Sequence, residues 1–258
     1  MARSWIRGAL LLAAALSPLG AATLAQGCGN AVTSGEGGGS NDGGADAPPA
    51  VTTVLHPDAP PLPGQSTCEV TITTGIHVPQ AYHVALCTPV EYATNPPSGG
   101  DHWGAWAAYQ TYDAPIPREL YVHDMEHGAI VFLHDCEGDC PDVLKAFQQA
   151  RDAVTGDPLC LQIPDGPTER VVITPDPKID RPIAAAAWGA TYTATCIDVP
   201  SLRDFAKAHY AKATENLCAQ GQYTSDPCSG AGAGGATGGT GGAGGTSSGG
   251  GSGAADGG

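Results

Sequence analysis

Apolar positions recur in regular patterns only between about residues 66 and 228 of the 258-residue chain. "CEVTITT", residues 68–74, alternates apolar and polar side chains, the two-residue period of a half-buried strand. "IPRELYVHDMEHG", 116–128, predicts a short helix. Pro117 suits its first turn and Gly128 its C-terminal cap, while Leu120, Val122 and Met125 supply core-facing side chains. "AIVFLH", 129–134, is a strongly apolar run and predicts a strand. "CPDVLKAFQQARDAV", 140–154, opens with Pro141 and Asp142 and carries apolar residues at 143, 144, 147 and 154, an amphipathic helix. "RVVITPD" predicts a further strand, and "IAAAAWGATYTATCI", 183–197, one or two strands around Trp188-Gly189. "VPSLRDFAKAHYAKA", 199–213, predicts a closing helix. Strands and helices mix without a regular β-α-β rhythm. The expectation is an α+β fold: a small single domain of mixed short strands and about three helices over 66–228.

The flanks read differently. Residues 1–27 have the layout of an export signal: Arg3 and Arg7, then an apolar stretch broken by Pro18. "LAQGC" follows, a small residue before a cysteine, similar to the lipobox of bacterial lipoproteins. Cys28 is therefore the expected lipidation site, which would anchor the chain to a membrane in the cell envelope. Cleavage near Ala25, giving a secreted or periplasmic protein, is the alternative. Residues 28–65 are rich in Gly, Ser, Ala, Pro and Asp, and 229–258 are almost wholly Gly, Ala, Ser and Thr. Neither composition buries enough apolar surface to offset ordering entropy, so both are expected to be flexible.

Charge and cysteine count narrow the class. The formal net charge is −15, and removal of Arg3 and Arg7 with the signal would bring it to −17. No basic cluster interrupts the acidity, which argues against nucleic acid as a partner. Of nine cysteines, setting aside Cys28 leaves eight: Cys68, Cys87, Cys136, Cys140, Cys160, Cys196, Cys218 and Cys228. In an exported chain these read as up to four disulfides, with Cys136 and Cys140 able to pair locally around "CEGDC". No C-x-x-C occurs, so a zinc ribbon or thioredoxin-type motif is not signalled.

The stretch "YVHDMEHG" carries the candidate chemistry. On a helix, His123 and His127 lie on one face, about 5–6 Å apart at Cβ, and Glu126 neighbours them. Two histidines do not complete a transition-metal site, which takes three or four protein ligands. The third candidate is His102, in the loop "NPPSGGDHW", whose glycines and prolines allow a close, defined approach. His134, about 20 Å along extended chain from His127, is the poorer candidate. The metal set is thus His102, His123, His127 and Glu126, with copper or zinc as the ion. H-x-x-E-H also matches the inverted zincin signature, in which Glu126 would be the catalytic base and something like Glu215 the third ligand. Gly128 ends the helix at once, against that reading. The bland alternative is a disulfide-stapled binding module whose histidines only cap the helix and fix the loop. Met125 reads as core; His56 reads as linker, and His77, His83 and His209 as surface or satisfied polar groups. Trp103, Trp106 and Trp188 read as core or groove aromatics. Convergence of the histidines would favour a metal; hydrogen bonds to backbone carbonyls would favour the binding module.

"NPPSGGDHW", then "YDAPIPRELYVHDMEHGAIVFL", then "AAAAWG" resemble, in order and spacing, a bacterial family known as domain of unknown function 3105. The resemblance spans roughly residues 70–213. It implies a shared site around His102, His123, Glu126 and His127 and frequent export or membrane tethering, and it supplies no activity. Some members carry a cysteine and a glycine before the tyrosine of the middle block; here that segment is "WAAYQTYD".

Overall fold

Five-residue runs of branched and small apolar side chains build the centre of the fold. In the computed structural model, which describes residues 48–229 apart from 137 and 139, Ile130–His134 (β5) lies between Val171–Pro175 (β6) and Ile183–Ala187 (β7). All five residues of β5 and of β7 are buried. Successive side chains of a strand point to opposite faces. Ile130, Phe132, Ile183 and Ala185 therefore enter one core, and Val131, Leu133, Ala184 and Ala186 enter another. A strand buried on both sides reads as a continuous apolar run rather than an alternation, as "AIVFLH" does.

The remaining strands complete a six-stranded mixed sheet. Val51–Leu55 (β1), Val70–Thr74 (β2) and Ala190–Ala194 (β8) extend it in the order β1-β2-β8-β7-β5-β6. β5 and β6 are parallel, joined through the helix Pro141–Arg151 (α2); the other pairings are antiparallel. α2 and the helix Val199–His209 (α3) cover the first core with Phe147, Leu202 and Phe205. Pro141 opens α2, and the Asp198 side chain caps α3 by accepting from the Ser201 N–H. The helix Arg118–Glu126 (α1) lies in the second core, with Leu120 to Met125 all buried. The α+β expectation, with three helices in one small disulfide-linked domain, holds.

β1 corrects the expected linker. Five residues of "VTTVL" pair along their whole length with β2, from Val51 opposite Thr74 to Leu55 opposite Val70. The Gly/Ser/Pro composition of 28–65 hides this short β-branched run, and an edge strand needs little burial of its own. The signal, Cys28, the rest of the linker before residue 48 and the tail from 230 lie outside the described residues. Among the described residues no helix is long and apolar enough to cross a membrane.

Four disulfides are formed: Cys68–Cys196, Cys87–Cys228, Cys136–Cys140 and Cys160–Cys218. Three close loops of 128, 141 and 58 residues. On chain-entropy grounds each contributes about 4–5 kcal/mol, against about 2 kcal/mol for the four-residue Cys136–Cys140 loop.

Candidate metal centre

Two short strands that leave no hydrophobic pattern in the sequence assemble the site. His83–Val84 (β3) and His102–Trp103 (β4) pair in parallel, placing His83 beside His102. The loop before His102 is held by its neighbours. The Asp101 carboxylate accepts the Tyr82 N–H at 2.8 Å, and the Tyr82 carbonyl accepts the His102 N–H. Gly99 has φ of 134°, and a Cβ there would sit 2.8 Å from the Val78 methyls. The Trp188-Gly189 turn between β7 and β8 closes over the loop: the Gly189 N–H donates to the Ser98 carbonyl at 2.7 Å, and Trp188 meets the His102 ring edge-on. The Cys87–Cys228 disulfide ties down the segment that follows His83.

α1 brings the other donors from below. Its first turn is fixed by Arg118 and Tyr121, which both reach the Asp176 carboxylate, at 2.9 and 3.0 Å. Its end is fixed by Gly128, whose φ of 91° and close approach to the Ala211 backbone leave no room for a side chain. Segment 215–217 grips the same end: Glu215 and Leu217 donate backbone N–H groups to the Glu126 and His127 carbonyls. The buried Arg170 guanidinium joins these pieces, donating to the His127 and Leu217 carbonyls, to Asn216 and to Asp157. Asp157 is buried, yet hydrogen bonds from Tyr210, the Leu159 N–H and Arg170 hold its carboxyl below the usual range.

One donor atom from each of His83, His102, His123 and Glu126 falls within 4.8 Å of all the others. Two of the rings are already oriented. His102 Nδ1 lies 2.8 Å from the Gly100 carbonyl, and His123 Nδ1 lies 2.7 Å from the Trp103 carbonyl. A carbonyl can only accept, so each Nδ1 carries a proton and each ring turns its Nε2 toward the cluster. That second hydrogen bond is how proteins set a metal-ligating imidazole. His102 Nε2 is fully buried, has no hydrogen-bond partner, and stands 3.0 Å from Glu126 Oε2. The carboxylate is close enough but off the hydrogen-bonding direction. The two atoms are near enough to share a cation without forming a hydrogen bond to each other. His83 is half exposed, 3.6 Å from the same oxygen, and stacks on His123 at 4.7 Å between ring centres.

His127 lies beside this group rather than in it. Its Nε2 is 3.2 Å from His123 Nε2 and 3.5 Å from Glu215 Oε2. Trp106 packs at 4.9 Å against both His123 and His127. Burial pushes the His123 imidazole down to about 3, against the opposing hydrogen bond it donates to the Trp103 carbonyl, and the neighbouring histidines lower it further. Burial likewise pushes His127 down to about 4, with Glu126 opposing. Both rings are neutral at pH 7; with the His123 proton on Nδ1, the proton between the two Nε2 atoms belongs to His127, and that contact gives way when a metal takes His123 Nε2. Asp124, on the inner side of α1, accepts the Ala107 N–H, and burial pushes its carboxyl well above the usual range.

The family model described as "Protein of unknown function (DUF3105)" matches residues 83–222, more than half of the chain. The chain belongs to this family. No curated protein and no solved structure matches it. The DUF3105 span opens at His83 and contains the whole cluster, the Trp188-Gly189 turn and segment 215–217. It leaves out β1 and β2.

His102, His123 and Glu126 converge, and His127 turns toward Glu215. His83 takes the place foreseen for His127. A lone histidine in "YHVAL" carries no spacing signal; only its pairing opposite His102 reveals it. Met125 is core, as expected, and offers no sulfur to the site.

Proposed function

We propose that this DUF3105 protein is an exported, lipid-anchored envelope protein that binds one copper or zinc ion through His83, His102, His123 and Glu126. The carrying observation is His102 Nε2: buried, without a hydrogen bond, and 3.0 Å from a carboxylate oxygen. A cation held by both would satisfy them. Three imidazole nitrogens and a carboxylate oxygen suit zinc and copper, with zinc bonds of about 2.0–2.2 Å to such donors. Ligand atoms around a tetrahedral ion then stand about 3.3 Å apart, close to the spacings of 3.0 and 3.6 Å around Glu126. Export is supported by the N-terminal sequence and by four disulfides, which persist in oxidising compartments. Cys28 would carry the anchor.

The carbonyl bonds of His102 and His123 are not evidence for mere capping, since they occupy only Nδ1; both Nε2 atoms point into the cluster, that of His123 in contact with His127. The hydrolase reading gains no such support: Glu126 stands among the donor atoms, 3.0 Å from His102 Nε2. The test is the metal content of the purified, disulfide-intact protein after exposure to copper or zinc, beside a His102→Ala/His123→Ala variant. One equivalent, absent from a variant with an unchanged circular dichroism spectrum, is the expected result. No metal in the wild-type protein would overturn the reading.

A further inference from the structure

The Cys136–Cys140 disulfide contributes little to the task of the other three. It links residues four apart, against 128, 141 and 58. Closing so short a loop removes little entropy from the unfolded chain. It sits, however, where sulfur chemistry is favoured. Cys140 is the N-cap residue of α2 and makes no capping hydrogen bond with its side chain, so its sulfur lies at the positive end of an eleven-residue helix. His134 ends β5 and brings Nδ1 to 3.7 Å from Cys140 Sγ. The imidazole is 7% exposed and packs against Phe147, while both cysteines are half-buried and reachable. The His134 nitrogen and the two sulfurs lie within 4.8 Å of one another. This group stands at the opposite end of β5 from α1, and its donors are sulfur-rich where the other cluster offers nitrogen and oxygen.

We propose that Cys136–Cys140 is a redox gate on a second metal site: when it is reduced, Cys136 Sγ, Cys140 Sγ and His134 Nδ1 bind one thiophilic cation, zinc or copper(I). The reductant is an external dithiol. Its thiolate attacks Cys136 Sγ, and Cys140 leaves as a thiolate at the helix N-terminus. The second thiol of the reductant then releases Cys136 and closes the reductant's own disulfide. Two electrons pass to the protein, and two protons complete the thiols. Metal binding displaces those protons, and reoxidation by a disulfide ejects the metal. Thiolate pairs with an imidazole suit zinc and copper(I). The site is independent of the His83 cluster, so either can fail without the other.

The test uses the intact protein, titrated with a dithiol while free thiols are mapped by alkylation and mass spectrometry. Cobalt(II) then serves as probe for the zinc-like site, through its sulfur-to-metal charge-transfer absorption. The expected result is that Cys136 and Cys140 are the first pair released. One additional equivalent of cobalt should then bind with that absorption, none should do so before reduction, and Cys136→Ser/Cys140→Ser should abolish it. His134→Ala should weaken binding about tenfold or more while the two thiols still form. Release of another disulfide first would overturn the proposal. So would no cobalt absorption with both thiols free, or absorption that survives Cys136→Ser/Cys140→Ser.

Discussion

The two faces of the sheet are built to different ends. Under α2 and α3, Phe132, Phe147, Leu202 and Phe205 fill an apolar core whose few polar groups are paired, such as Tyr192 with Ser201. Under α1, the apolar core is pierced by His102, His123, Asp124 and His127, all buried. Among the described residues, five buried side-chain atoms lack a hydrogen-bond partner, in Tyr92, His102, Tyr109, Asp124 and His127. Every one lies on the α1 side. An unsatisfied buried polar group costs about 1–3 kcal/mol. One face therefore holds the fold together, and the other gives up stability to keep a set of donors in place.

The sharpest break of that contrast is on the apolar face. Phe147→Ala removes a fully buried ring stacked on Phe132 and should cost about 3–5 kcal/mol in denaturant unfolding. The folded protein should still take up its metal with unchanged stoichiometry. A loss of metal binding in the folded variant would show that the faces are not separable.

The polar face should respond to ligand instead. Copper or zinc at about 100 times its dissociation constant should raise the unfolding free energy of the wild-type protein by about 2.7 kcal/mol. His102→Ala/His123→Ala should show none of this gain. Without metal that variant should be no less stable than the wild type by more than about 1 kcal/mol, because it removes a buried nitrogen without a hydrogen-bond partner together with its packing.

A gentler lever is pH. Histidine in the unfolded chain titrates near 6.5. Burial holds His123 at about 3 and His127 at about 4 in the folded protein. The unfolded chain thus takes up protons that the folded chain refuses. Metal-free stability should be level above pH 6.5 and fall as the pH drops toward 4. His123→Gln should make that fall shallower, measured by thermal unfolding across the range. An equal slope in both proteins would contradict the placement of the buried ring.

The same contrast explains what could be read from the sequence. The apolar face is written in local patterns: the run 129–134, the period of α2, the strands around Trp188-Gly189. Each element follows from residues within a few positions of one another. α1 was legible through Pro117 and Gly128, and with it the joint position of His123 and Glu126. His102 was legible because its glycines and prolines mark a loop that must follow a tight path. His83 was not, because it reaches the site through a two-residue parallel pairing with β4. His127 lies beside the group, and helical spacing, which fixes only which face a side chain shares, says nothing of Glu215, 88 positions further on and 3.5 Å from the ring. β1 was lost in the average composition of its surroundings.

The most direct test of the central claim is the X-ray absorption spectrum of the protein carrying one equivalent of zinc, at the zinc edge. The claim requires a first shell of three imidazole nitrogens and one carboxylate oxygen at about 2.0–2.2 Å, with one imidazole lost in His83→Ala. A shell of sulfur, or of water with one or no imidazole, or a spectrum unchanged by His83→Ala, would contradict it.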